Sequence, residues 1–119
     1  MTEIKNLKTV VNHGIPEIDV NEVHDHAPSL TLIDVRRPEE FNNELGHISN
    51  AKLVTLGPEL EEFLHSIKTP ESYIVFICRS GARSGNATAM AQDLGLKNTF
   101  NMTGGMLRWN SFNLPVTRD

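Results

Sequence analysis

Apolar residues fall into short runs separated by polar, glycine- and proline-bearing stretches, and the runs alternate between two periods. Leu30-Thr31-Leu32-Ile33-Asp34-Val35 and Tyr73-Ile74-Val75-Phe76-Ile77 are nearly continuous and rich in β-branched residues, as buried strands are. Shorter strands are predicted at Glu17-Ile18-Asp19, as an edge strand, at Lys52-Leu53-Val54 and from Asn98 to Met102. Asp19-Val20-Asn21-Glu22 has the form of a capping box opening a short helix. Pro38 suits the first position of a second helix, running to about Glu44. Gly57-Pro58 opens a third, whose Leu60, Phe63, Leu64 and Ile67 share one face. A fourth is predicted from about Ser84 to Leu94, with Gly95 placed for its C-terminal cap, and a last from Gly105 to Asn110. Strands alternating with helices predict an α/β fold, with a central, mostly parallel five-stranded sheet and helices on both faces.

Residues 1–14 read differently. Ile4, Leu7, Val10 and Val11 recur at helical spacing, and Gly14 can end such a helix. Asn12-His13-Gly14 reads equally well as a turn after a strand. The chain is therefore divided into an N-terminal extension, 1–14, and a domain spanning 15–119.

Composition narrows the class without deciding it. At 119 residues there is room for one core, and 39% hydrophobic with 22% charged residues is ordinary for a globular protein. A net charge of -4 gives no basic face for nucleic acid. No run of 18 or more apolar residues predicts a membrane span, and Met1-Thr2-Glu3-Ile4-Lys5-Asn6 lacks the apolar core of a signal peptide. A single cysteine forms no internal disulfide, which fits a reducing compartment, the cytoplasm by default.

That cysteine sits where the chemistry is expected. Cys78 ends the strongest strand and is followed by Arg79-Ser80-Gly81-Ala82-Arg83-Ser84 and then a helix. Open α/β sheets bind ligands at the C-terminal ends of their strands, and a helix N-terminus there offers N–H groups and positive potential. Two arginines add charge, Gly81 permits a tight turn, and Ser80 and Ser84 supply hydroxyls. Each effect favours thiolate, the nucleophilic form. Ser84 can also cap the helix.

The loop resembles the Cys-x-x-Gly-x-Arg-Ser/Thr active-site loop of rhodanese-like sulfurtransferases, with Cys78, Gly81, Arg83 and Ser84 on the pattern. Three more stretches resemble that family in the same order: Asp34-Val35-Arg36, Gly46-His47-Ile48-Ser49-Asn50-Ala51 and Gly104-Gly105-Met106-Leu107-Arg108-Trp109. One departure is Asn50, where the family carries a second glycine, although Asn tolerates left-handed backbone well. The likeness covers roughly Ile15 to Val116.

The resemblance implies a rhodanese-like fold and transfer of a sulfane sulfur through a persulfide on Cys78, with no metal or organic cofactor. The donor would be thiosulfate or a similar anion. The acceptor would be cyanide in the laboratory, or a small thiol, thioredoxin or another protein in the cell. Arg79, Ser80, Gly81, Ala82, Arg83 and Ser84 would bind the donor, with Arg83 taking its sulfonate or else forming a salt bridge under the loop. Asp34 and Arg36 are expected to support the architecture, Asp34 by accepting loop N–H groups and Arg36 and Arg37 by pairing with Glu40 or Glu44. His47 is expected to be a structural hydrogen-bonder, and Trp109, Met102 and Met106 to fill the core.

Five histidines do not make a metal site: His24 and His26, two apart, do not share a helix face, and no second cysteine exists for a Cys/His zinc site. Phosphatase chemistry of the Cys-x5-Arg kind needs one more residue than the Cys-x4-Arg spacing here, and Ile77 stands where that motif usually has histidine. A persulfide carrier or protein-interaction module with little turnover remains the competing class, because one loop serves carriers and catalysts alike.

Overall fold

Among the described residues, six strands form one sheet, in the order β1-β2-β6-β5-β3-β4. They are β1 (Val10–Asn12), β2 (Ile15–Ile18), β3 (Thr31–Asp34), β4 (Lys52–Leu53), β5 (Tyr73–Ile77) and β6 (Asn98–Met102). The helices are α1 (Val20–His26), α2 (Pro38–Phe41), α3 (Pro58–Ser66), α4 (Ala82–Asp93) and α5 (Gly105–Ser111). These come from a computed structural model, which describes residue 4 and residues 6–119. Every pairing is parallel except that of β1 with β2. No helix among the described residues is long and apolar enough to cross a membrane.

The sheet has one strand more than the five expected, and the extra strand comes from the N-terminal stretch. Val10–Asn12 is a strand, and residues 6–9 are not helical; the rest of the helical reading falls on residues 1–5, mostly outside the described residues. The turn His13-Gly14 has φ of 52° and 81°, the left-handed pair that joins two antiparallel strands with their natural twist. Val10 and Val11 are 64% and 72% exposed, so their spacing marks no buried helix face. β2 therefore lies between β1 and β6 and is not an edge strand. The division expected between residues 14 and 15 falls inside this hairpin.

Alternation along the central strands builds two cores. Val75, Ile77, Leu32, Phe100 and Met102 face Val20, Val23, Met106 and Trp109 of α1 and α5. Ile74, Phe76 and Ile33 face Leu60, Leu64, Ala87 and Ala91 of α3 and α4. Phe63 and Ile67 pack against this second core, completing the predicted face of α3. Cys78 continues the alternation of β5 and belongs to the α4 side.

Helix ends follow local chemistry. Asp19 caps α1 by accepting the Asn21 N–H at 3.4 Å, but Glu22 turns away to accept the Lys8 N–H at 2.9 Å, so only half the capping box forms. α2 stops at Phe41, three residues short of the expected Glu44. α4 starts two residues early, because Gly81 at φ 101° takes the N-cap position. At its other end Gly95 (φ 88°) lets the Leu96 N–H reach the Ala91 carbonyl at 3.1 Å, as predicted for a glycine cap.

Candidate active site

The Cys78 side chain is fully buried, at the point where β5 gives way to the loop before α4. Its Sγ accepts the Gly81 N–H at 3.0 Å and lies 3.2 Å from Ser84 Oγ. The 12 residues of α4, about three turns, stand behind the sulfur with their positive end toward it. Ser84 is not the helix cap; it lies in the first turn of α4 with its hydroxyl between Cys78 and Asn101, 2.5 Å from Asn101 Oδ1. Arg79, Ser80 and Ala82 are exposed. Of the loop residues expected to bind donor, Gly81 and Ser84 are the ones within hydrogen-bond distance of the sulfur among the described residues.

The loop owes its shape to α5. The Met106 and Leu107 N–H groups donate to the Cys78 and Arg79 carbonyls at 2.8 and 3.0 Å. A trans peptide points its N–H opposite to its carbonyl, so these bonds turn the following N–H groups away from α5. Gly105 allows the approach: a Cβ there would lie 2.5 Å from the Arg79 and Cys78 carbonyl oxygens. The Gly-Gly pair thus serves the cysteine loop through contact.

Arg83 makes the salt bridge under the loop. Its Nη1 and Nη2 donate to Glu40 Oε1 and Oε2 at 2.7 and 2.9 Å. Glu40 also accepts the Arg37 N–H at 3.1 Å, so one carboxylate caps α2 and ties it to α4. The Arg83 hydrogen bonds, against some burial, hold the Glu40 pKa down at about 2. A depressed carboxylate stabilises the fold fully above its unfolded value near 4.5 and loses that contribution as pH falls toward 2. Glu40→Gln is accordingly expected to flatten the fall in thermal midpoint between pH 4.5 and 2, while costing stability at pH 7. A cleft of about 280 Å³ lies beside Arg83, lined by Val35, Arg37, Thr55 and Leu56. It brings a second guanidinium beside Arg83, and that group is Arg37.

Arg36 does not pair with Glu40 or Glu44. Its Nε and Nη2 clasp Asp34 at 2.9 and 2.8 Å, and Nη2 also donates to the Gly46 carbonyl at 2.8 Å. Asp34 accepts the Arg36 backbone N–H at 3.1 Å as well. Both side chains are buried, and the pair joins the end of β3 to the Gly-His-Ile turn. His47 stacks on Phe41 with centroids 3.6 Å apart and bonds the Phe41 carbonyl through Nδ1 at 2.8 Å. Asn50 is not among the left-handed residues, so position 50 makes no use of the freedom a glycine would bring. Trp109, Met102 and Met106 are core, as expected.

Asn101 and Glu17 are residues that sequence reasoning did not single out, and Glu40, expected beside Arg36 or Arg37, is the partner of Arg83 as well as of Arg37. Asn101 carried a signal: a polar, strand-disfavouring residue between Phe100 and Met102 in a buried strand. Its Nδ2 donates to Glu17 Oε2 and to the Gly81 carbonyl, both at 3.1 Å.

The profile of the rhodanese-like domain family matches residues 19–112. The chain belongs to the rhodanese-like family. YtwF of Bacillus subtilis (strain 168), a protein provisionally named a sulfurtransferase, is 38% identical over 113 residues, spanning 95% of this chain and 97% of that one. Thiosulfate:glutathione sulfurtransferase of Saccharomyces cerevisiae is 29% identical over 121 residues, spanning 92% of this chain and 85% of that one. Among solved structures, the human single-domain sulfurtransferase TSTD1 superposes with a TM-score of 0.72 at 26% identity, covering 82% of this rhodanese-like chain and 97% of its own.

Proposed function

We propose that this rhodanese-like protein is a sulfurtransferase that moves a sulfane sulfur from thiosulfate, or a similar anionic donor, to a thiophilic acceptor. Cys78 carries the sulfur between the two as a persulfide. The thiolate attacks the outer sulfur of thiosulfate, the S–S bond of the donor breaks, and sulfite leaves with the bonding pair. The acceptor, cyanide or a thiolate, then attacks the outer sulfur of the persulfide and Cys78 departs as thiolate. No external oxidant or reductant enters either half.

One observation carries this reading: a lone cysteine sulfur at the N-terminal end of a 12-residue helix, 3.0 Å from the Gly81 N–H. Backbone N–H groups and a helix dipole stabilise an anionic sulfur before and after transfer. The cleft shared by Arg37 and Arg83 suits a sulfonate, which would compete with Glu40 for the Arg83 guanidinium. Sulfurtransferase names among relatives of similar length support the same chemistry, and one of them pairs thiosulfate with a small thiol. A reducing compartment such as the cytoplasm keeps the thiol free.

The buried sulfur and the occupied Arg83 favour one alternative, a persulfide carrier that loads from a protein donor and turns over slowly on free thiosulfate. Intact mass under non-reducing conditions, before and after thiosulfate, tests both readings. The wild type is expected to gain one sulfur atom that cyanide removes, and Cys78→Ala to gain none. No gain on the wild type would overturn the thiosulfate reading. Gain without multiple turnover in thiosulfate and cyanide would establish the carrier.

A further inference from the structure

The sulfur's second neighbour is a hydroxyl whose single proton is already committed. Asn101 Nδ2 faces two groups that only accept, the Glu17 carboxylate and the Gly81 carbonyl, each at 3.1 Å. That fixes the amide orientation and turns Oδ1 toward Ser84, 2.5 Å from its Oγ. An amide oxygen only accepts, so Ser84 donates to Asn101 and offers Cys78, at 3.2 Å, a lone pair. A lone pair suits a thiol, which can donate its S–H. It does not suit a thiolate. For Ser84 to donate to an ionised sulfur, its hydroxyl must turn and leave Asn101 Oδ1 unpaired in a site where Ser84 is wholly buried and Asn101 nearly so.

We propose that Asn101, oriented by Glu17, is a positioning residue that aims the Ser84 hydroxyl away from Cys78 and so withholds its proton from the ionised sulfur. The amide takes no proton itself; the thiol proton leaves to solvent on ionisation, and the device acts through orientation alone. Its sense is opposite to that of the Gly81 N–H and the α4 dipole, which favour thiolate. When the hydroxyl swings across, the ionised sulfur gains that donor, so reactivity is tied to one rotation. The inference rests on Cys78 being the nucleophile. It is independent of which donor or acceptor the protein uses.

The charged groups around the sulfur stay constant in the test. Arg83 on α4 is paired with Glu40 of α2. Asp34 with Arg36 closes the end of β3, Arg79 is exposed in the loop, and Glu17 on β2 lies beyond Asn101.

The experiment is the rate of Cys78 alkylation by iodoacetamide against pH, which needs no sulfur donor and so fails separately from the sulfur-transfer reading. Asn101→Ala removes the acceptor and frees the hydroxyl for the thiolate; the midpoint of the profile should fall by about one unit, about tenfold more thiolate below it. Adding Ser84→Ala to Asn101→Ala should abolish that fall, which a mere loosening of the loop would not do. Ser84→Ala alone should leave the wild-type midpoint within about 0.3 unit, because a proton given to Asn101 contributes little to the sulfur. Should Asn101→Ala not fold, Asn101→Val removes the same acceptor with a residue that strands favour. The proposal is overturned if either Asn101 variant leaves the midpoint unchanged or raised, if the fall survives without Ser84, or if Ser84→Ala alone raises it by about a unit.

Discussion

Arg36→Ala should lose about 3–5 kcal/mol of stability, read as a lower denaturant midpoint at unchanged slope. Asp34 and Arg36 are 0% and 1% exposed, and the guanidinium spans both carboxylate oxygens and the Gly46 carbonyl. Removing it strands a carboxylate with no counter-charge and a carbonyl with no donor. Each is costly where water cannot reach. Total stability for a domain of this size is about 5–15 kcal/mol, so the loss is a large fraction of it. Arg36→Lys should recover only part, because one ammonium cannot bridge the positions that the planar fork holds together. A loss under about 1 kcal/mol would mean that the pair contributes nothing beyond filling space.

Gly105→Ala is expected to slow sulfur loading of Cys78 at least tenfold and to destabilise the fold by about 2–4 kcal/mol. The added Cβ would meet the Arg79 carbonyl carbon and oxygen and the Cys78 oxygen, all at 2.5 Å. All three are backbone atoms, so no side chain can swing aside. α5 must withdraw, and with it the Met106 and Leu107 N–H groups that hold the loop carbonyls. Residue 105 also sits at φ 58°, where alanine is strained in any surroundings. Gly14→Ala separates these effects. It shares the positive φ, at 81°, but has nothing within 4 Å, so it should cost about 1–2 kcal/mol and leave loading unchanged. Equal loading rates in the two variants would refute the contact argument.

Much of the framework was legible because it rests on local rules. The apolar runs at Thr31–Asp34 and Tyr73–Ile77, the four-residue face of α3 and the glycine after α4 each follow from periodicity or capping alone. The Cys78 loop was legible because a thiol, two arginines and a glycine rarely meet by chance at a strand end. What escaped depends on contacts between distant segments. Val10 and Val11 have helical spacing with Leu7, and only the hairpin to β2 makes them a strand. Arg36 had two nearby acids in sequence to choose from, yet it pairs with Asp34 two residues back, because burial selects the partner that also brings Gly46 within reach. The ties from Glu40 to Arg83 and from Asn101 to Glu17 span 43 and 84 residues, beyond any motif window.

The alternation along β5 has a further consequence, for how this protein can change. Odd and even positions of that strand serve different cores, and the thiol's side is set only by counting from Ile74 and Phe76. Inserting or deleting a single residue within Tyr73–Ile77 would rotate the cysteine to the face of α1 and α5, far from α4, and exchange the two apolar sets at once. Lengthening the connection before Tyr73 leaves that parity intact. Natural length variation should therefore collect at residues 67–72 and spare the strand, so that parity, rather than the identity of any one apolar side chain, is what β5 has to preserve.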